Sequence, residues 1–283
     1  MRAFKKIIST FARKLLDFKF MKEELVSVIM PTYNTGRFLS GSIDSILNQT
    51  HKNLELLITD DGSDDEQTLQ ILKHYAEKDP RVDVLYLQGN SGPGIARNKS
   101  IERARGRYIA FCDSDDRWFP EKLEKQIRHM TKHDCAICSS SYIICNEKEE
   151  LKGINISPSH ITYSMLKRDN KIGCLTAIYD IQRLGHKYYM PAIRKRQDWA
   201  LFLNILKDCQ ICFCITEPLA YYRQRSNSVS SNKLSLIKYN VNVYEAVLGY
   251  SKPTAYFCFL FKFLPSYYLK ICKRKRDSKR LIQ

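Results

Sequence analysis

Four short apolar runs, at residues 25–30, 54–59, 82–87 and 108–112, limit what this chain can become. Each is too short for a buried helix and almost unbroken in its apolar character, the pattern of a strand covered on both faces. Between them the period changes. Phe38, Leu39, Ile43, Ile46 and Leu47 recur along one helical face, and 65–78 and about 93–104 read as two further helices. Strand and helix therefore alternate. The expectation is an α/β fold with a mostly parallel central sheet and helices on both faces. Ligands of such sheets bind beyond the carboxyl ends of the strands, so function is to be sought there.

The second half is less regular. Residues 135–145, 172–179 and 211–215 read as strands, 147–159 as an exposed loop or hairpin, and 199–206 as a helix. Pro120 suits the first turn of a helix carrying Leu123 and Ile127. Near 232 the pattern becomes helical and basic. Three segments follow: a basic amphipathic stretch over 1–22, a globular domain over 23–231, and a basic helical tail over 232–283.

The formal net charge is +16. Of this, +6 falls within 1–22 and +7 within 262–283, which leaves +3 for everything between. A nucleic-acid groove built into the fold would carry its basic stripe through the middle. Charge confined to aromatic-rich ends points instead to an anionic membrane surface, with no nucleic-acid partner. Phe4, Ile7, Ile8, Phe11 and Leu15 at helical spacing make 1–22 an interfacial helix in this reading, the alternative being an amphipathic helix docked on the domain. The apolar stretch at 256–264 is far shorter than the ~20 residues a spanning helix needs. The N-terminus lacks the pattern of a secretory leader.

Ten cysteines are spread through apolar runs rather than set out as a disulfide framework. Cys112, Cys145, Cys174, Cys212 and Cys214 read as small buried hydrophobes, and the composition suits a reducing compartment. His129, His133, Cys135 and Cys138 have the types of zinc ligands. The odd spacing of the two cysteines turns them to opposite faces of a strand, which favours core thiols over a zinc site.

Two acidic clusters stand where strands end. Asp113-Ser114-Asp115-Asp116 follows the fourth run and Asp60-Asp61-Gly62-Ser63-Asp64-Asp65 follows the second. Either alone reads equally well as a solvated turn. Together, at the ligand-binding edge of one sheet, they point to a nucleotide site with a divalent cation, because crowded carboxylates repel unless something positive lies among them. The segment from Asn90 to Asn98 adds a Gly-rich turn at a helix start, where backbone amides and Arg97 can face an anion.

Five motifs now stand in order: Pro31-Thr32-Tyr33-Asn34, Asp60 to Asp65, Gly94-x-Ala96-Arg97-Asn98, Asp113 to Asp116, and Arg196-Gln197-Asp198-Trp199. Together they resemble the family 2 glycosyltransferases of the GT-A fold, in particular bacterial enzymes of lipopolysaccharide, capsule and teichuronic-type polysaccharides. The likeness covers about 25–230. It implies inverting transfer of a hexosyl or N-acetylhexosaminyl group from a nucleotide-sugar donor, most commonly a UDP-sugar, with Mn2+ or Mg2+ as cofactor. By the same resemblance Pro31, Thr32, Tyr33 and Asn34 line the nucleotide pocket, and Asp61 bonds the base, usually uracil. Arg97 lies by the nucleotide, and Asp113 approaches the ribose or the metal's water shell. Asp115 ligates the metal, and Asp198 is the general base.

Those roles suit the chemistry. A departing nucleoside diphosphate gathers charge that a cation stabilises, and a single displacement needs a base on the face opposite the leaving group. Gln197 flanks that base, and Trp199 reads either as a face for stacking on a sugar ring or as a core side chain beside an Asp that caps the following helix. Arg223 and Arg225, in a segment similar to the family's late Tyr-Arg motif, are placed to neutralise the diphosphate. Arg225 stands where that motif often has a His.

The resemblance also implies a glycan or lipid-linked saccharide as acceptor and work at the cytoplasmic face of a bacterial membrane, held peripherally by the basic ends. Three other readings fit less well. A nucleotidyltransferase would place a Gly-rich basic loop directly after the first strand. A nucleic-acid module contradicts the charge distribution, and a catalytically dead sugar-binding scaffold does not require intact Asp115 and Asp198.

Overall fold

The computed structural model describes residues 24–225 and 236–282. The N-terminal helix expected over 1–22 lies outside them. The alternation in the first half is realised. Strands β1 (Val26–Thr32), β2 (Leu54–Asp60), β3 (Val82–Tyr86) and β4 (Tyr108–Phe111) pair in parallel, in the order β3-β2-β1-β4. Every residue of β1, β2 and β4 is buried, as covering on both faces requires. Helices α1 (Gly36–Leu47), α2 (Glu66–Lys78) and α3 (Pro93–Arg103) connect them.

Alternate strand residues feed two cores. Val28, Met30, Leu56 and Ile58 meet Leu39, Ile43 and Ile46 of α1 on one face. Ile29, Leu57, Ile109 and Phe111 meet Ile101 of α3 and Phe202 on the other. This is the period-2 consequence of the pleat.

Beyond β4 the sheet becomes mixed. Strand β5 (Arg117–Trp118) forms its far edge. Helix α4 (Lys122–His133) starts two residues after Pro120, with Glu121 at its N-cap. Strand β6 (Ile137–Asn146) folds back as a hairpin onto β7 (Leu151–Asn155), and β8 (His160–Thr162) pairs with the final strand.

Of the run expected as a strand at 172–179, only β9 (Ile178–Asp180) extends it, antiparallel to both β4 and β6. Cys174–Thr176 is a 3-10 turn, because Thr176 Oγ1 donates to Gly173 O at 2.7 Å and closes the chain there. Helix α5 (Gln197–Cys209) leads to β10 (Ile211–Gln224), far longer than the run expected to end at 215. Pro218 cannot donate to the ladder, and the register with β6 slips on either side of it, so the strand passes through a bulge instead of stopping.

The tail does not stand apart from the domain. Helices α6 (Leu236–Ala246) and α7 (Lys252–Cys258) run through a π-helical turn, Phe259–Phe263, into α8 (Leu264–Ile282). Val241, Tyr244, Ala255, Cys258, Phe259 and Phe263 share one core with Trp199. Tyr244 Oη donates to Lys167 O at 2.8 Å, and Ser278 Oγ accepts from Ile154 N at 3.0 Å. A boundary at 232 therefore separates no independent cores. No helix among the described residues is long and apolar enough to cross a membrane.

Candidate active site

The parallel register of β1 with its neighbours brings the sequence motifs together. Ile29 pairs with Phe111, which sets Thr32 beside Ser114 three residues further along each strand. Thr35 Oγ1 sits between them, 2.7 Å from Thr32 Oγ1 and donating to Ser114 Oγ at 3.0 Å. Pro31 and Thr32 are buried, whereas Tyr33 is 43% exposed at the mouth. Asn34 takes a left-handed conformation (φ 50°). Its side-chain oxygen accepts from the amides of Asp64 and Asp65, both at 3.1 Å, which ties the first motif to the second.

Most of the acidic run after β2 is engaged in its own turn. Asp60 accepts from Ser63 N at 3.0 Å, and Asp65 caps α2 through Thr68 N at 2.9 Å. Asp61, 3% exposed, accepts from Ser91 N at 2.8 Å and Gly92 N at 2.7 Å. The Gly-rich turn was expected to offer its amides to an incoming anion. Two of those amides instead hold Asp61, a carboxylate from within the chain. The turn can lie this close because Gly62 (φ 75°) has no side chain: a Cβ there would be 2.7 Å from Gly89 Cα.

The Gly94 to Asn98 motif fastens three segments. A Cβ on Gly94 would fall 2.3 Å from the Gln197 amide, so the starts of α3 and α5 touch there. Arg97, 8% exposed, donates to Asp113 Oδ1 at 2.5 Å. Burial works against its charge, yet Asp113, with Cys174 and Asp198 also within electrostatic reach, holds its pKa above the ordinary value. Asn98 is bidentate with the Met190 backbone, donating to its carbonyl at 3.0 Å and accepting from its amide at 2.7 Å.

Arg97 thus stands between the acidic turn after β4 and the start of α5. Cys174 lies in the same nest, and burial lifts its thiol well above the ordinary range, which makes it a neutral wall rather than a nucleophile.

The acidic turn is short of positive charge. Burial and the neighbouring Asp113 raise the pKa of Asp115, against the ion pair from Arg225 at 3.3 Å. Asp116, 1% exposed, is raised further by burial and by Asp115, although it accepts from Arg223 N at 2.9 Å. Arg223 is committed elsewhere, with Nε donating to Asp115 O at 2.9 Å and Nη2 to Glu149 at 3.1 Å. Both guanidinium groups lie over the Phe38 ring, at 4.7 and 5.6 Å. Arg223 is therefore 6% exposed and braces the turn, while Arg225 is half-buried and pairs with the Asp115 side chain. A cavity of about 370 Å³, lined by Thr35, Phe38, Glu147 and Arg225 among others, opens beside it.

Asp198 lies in the first turn of α5, behind an N-cap residue, Arg196, in left-handed conformation. Asn170 Nδ2 donates to Asp198 Oδ2 at 2.8 Å. Trp199 requires a correction. It is wholly buried, its indole N–H donates to Leu166 O at 2.8 Å, and Tyr244 and Phe263 pack on its ring. No face remains for a sugar. Adjacent helix positions point about 100° apart, so a residue next to one facing the cleft can face the core.

Several contributors escaped the sequence reading: Thr35, Ser114, Asp116 in its brace with Arg223, and Asn170. Nothing local marks Asn170, since its partner is 28 residues away. Cys135 and Cys138 are buried as core thiols, but in one core and not on opposite faces, because Cys135 precedes β6; Cys174, expected to be buried, is half-buried, and His133 stacks on Phe213.

Comparison with known proteins agrees with this geometry. The family model described as glycosyl transferase family 2 matches residues 27–191. TuaG of Bacillus subtilis, a glycosyltransferase assigned to teichuronic acid biosynthesis, is 40% identical over 83% of this chain and 93% of its own length. WfgD of Escherichia coli, a UDP-Glc:alpha-D-GlcNAc-diphosphoundecaprenol beta-1,3-glucosyltransferase, is 39% identical over 77% of this chain and 84% of its own.

Among solved structures, Staphylococcus aureus TarS 1–349 in complex with UDP-GlcNAc superposes with a TM-score of 0.66 at 21% identity, covering 86% of this chain and 72% of that one. The mannosyltransferase PcManGT of Pyrobaculum calidifontis, solved with GDP-Man and Mn2+, gives 0.55 at 16% identity, covering 96% and 85%. These two likenesses establish the fold. With a family match over more than half its length and close relatives along most of the rest, the chain belongs to glycosyl transferase family 2 and is a glycosyltransferase with the GT-A fold.

Proposed function

We propose that this enzyme transfers a sugar from a UDP-sugar to a lipid-linked saccharide, with inversion, using a divalent cation at Asp115 and Asp198 as general base. One observation carries the reading. Arg97 binds Asp113 and lies within electrostatic reach of Asp198, and Gly94 packs on Gln197, so the acidic turn and the candidate base stand on either side of one buried arginine.

The residues present fit a cation. Three carboxylates crowd within four positions, and two arginines pair with their side chains, Arg97 with Asp113 and Arg225 with Asp115. Among the described residues no three ligand-type side chains converge on a point. This suits Mg2+ or Mn2+ held by one or two carboxylates together with substrate phosphates and water. The bound cation would stabilise charge developing on the departing diphosphate.

Pro31, Thr32, Tyr33, Asn34 and Asp61 form the nucleotide side. Arg225 is poised to exchange its bond with Asp115 for the diphosphate, and Gln197 lies against Gly94 beside the base. Asn170 holds the Asp198 carboxylate, which then takes the proton of the acceptor hydroxyl as it attacks. Two of the relatives carry names that support the donor and acceptor classes.

The tail supports peripheral attachment to the inner face of a membrane. Tyr256, Phe257, Leu260, Phe261, Tyr268 and Leu269 are exposed on it, 46–67% each, alongside exposed Lys262, Lys275, Arg276, Lys279 and Arg280. Apolar residues among cations are what an anionic interface selects.

The test uses the full chain with a panel of UDP-sugars, with Mn2+ and with chelator. Asp115→Ala is expected to lose cation-dependent UDP binding. Asp198→Asn is expected to bind UDP normally and to lose about 10²–10⁴-fold in transfer. Transfer by Asp198→Asn at the wild-type rate would remove Asp198 from the base role.

A further inference from the structure

The tail encloses a second cleft, which the chemistry above leaves unused. It lies between the 163–168 turn and the helices from α6 to α8 and has a volume of about 380 Å³. Tyr244, Phe261 and Leu269 give it apolar walls, and Lys167, Arg168 and Lys262 stand around them. No carboxylate lines it among the described residues. Asp169, the nearest in sequence, is drawn off by Lys171 and Lys270, both at 3.6 Å. Arg168 and Lys262 are exposed and form no ion pair with another described residue. Lys167 Nζ lies over the Tyr163 ring at 4.8 Å.

The two ends of the cleft lead in different directions. Outward, Phe261 of its wall packs on exposed Phe257, ring centroids 4.8 Å apart, and Leu260 and Tyr268, next in sequence to the lining residues Phe261 and Leu269, are exposed as well. Inward, Asn170 follows Arg168 by two residues and bonds Asp198. Two residues of extended chain span no more than about 7 Å.

We propose that this cleft takes the diphosphate and the first isoprenoid units of a polyprenyl-diphosphate acceptor, which places the attached sugar at Asp198. The inference rests on the lipid-linked acceptor and on the base proposed above. The cations select the diphosphate, the aromatic and aliphatic walls accept the chain, and the exposed ridge carries the remainder toward the bilayer. A phospholipid such as phosphatidylglycerol brings one phosphate charge to the three cations, where the diphosphate diester brings two.

Farnesyl diphosphate is the probe, titrated into the full chain with UDP and Mn2+ saturating. Farnesol, inorganic diphosphate and phosphatidylglycerol vesicles are run beside it. Farnesyl diphosphate is expected to bind despite the UDP, at least about tenfold more tightly than farnesol or diphosphate. Arg168→Glu with Lys262→Glu should weaken it about tenfold, as two exposed cations at ~1 kcal/mol or less each allow. Phe261→Ala with Leu269→Ala should weaken it similarly.

UDP affinity and melting temperature should stay at wild-type values throughout. Lys262→Glu alone serves as the milder variant. Displacement of the probe by UDP, or equal affinity in the charge-reversed chain, overturns the proposal. So does a loss confined to vesicle binding, which would make these cations readers of a membrane surface. If UDP itself does not bind, the donor assignment fails, and the probe still decides the cleft.

Discussion

Lys122 offers a quantitative test of the packing beneath the acidic turn. It lies in the first turn of α4, wholly buried, with Nζ donating to Gln126 Oε1 at 2.7 Å and lying 3.9 Å from the centre of the Trp118 ring. Burial pulls its pKa from 10.5 down to about 7. The unfolded chain then holds the proton between pH 7 and 10.5 where the folded chain has released it. Stability must therefore rise with pH across that window and be level with respect to this group below it. The whole span corresponds to about 5 kcal/mol, of which about 2 kcal/mol is recovered between pH 7 and 9.

Lys122→Met keeps the length and removes the charge. At pH 7 it should be more stable than wild type by about 2–4 kcal/mol, once about 1 kcal/mol is allowed for the lost bond to Gln126. Urea unfolding of both chains from pH 6 to 9 reads the difference directly, because thiols and other groups titrating in both cancel. The gap should narrow by about 2 kcal/mol from pH 7 to 9. A gap that ignores pH would show that Lys122 meets water in solution and would refute the argument.

Two further substitutions separate core from site. Trp199→Phe loses the indole bond to Leu166 O and part of the packing against Tyr244 and Phe263, so unfolding should cost about 2–3 kcal/mol less, with no change in acceptor KM. A raised KM at unchanged stability would restore the stacking role. Gly62→Ala puts a side chain at φ 75° and against the Gly89 backbone, which should destabilise by about 2 kcal/mol or more and weaken UDP binding as Asp61 loses the Ser91 and Gly92 amides. Thermal melting and a UDP titration check both effects.

Much of the site was legible because it is built from strand ends. The runs ending at Thr32, Asp60 and Phe111 lie side by side in a parallel sheet, so residues just past each run meet without further information. That logic does not reach Trp199, which stands at a helix start and left stacking on a sugar and burial in the core both open. Its neighbour Asp198 is half-buried and bonds Asn170, whereas the packing of α6 and the π-helical turn at Phe259–Phe263 shows that the next side chain points into the core. Arg223 and Arg225 show a similar division. The segment was recognisable, but which arginine braces the turn and which pairs with the Asp115 side chain depends on how β10 crosses its bulge at Pro218.

Hydrophobic period and strand-end chemistry are local properties, and by themselves they determined the α/β layering and the position of the acidic rim, while the family came from the resemblance of five ordered motifs. Contacts across long separations were left to the tertiary structure: Asp61 clamped on the Gly-rich turn, Asn170 on Asp198, the tail sharing a core with α5, and the cleft that results. Such contacts depend on which surfaces remain uncovered once the sheet has formed. That is a property of the assembled fold, and no window of sequence contains it.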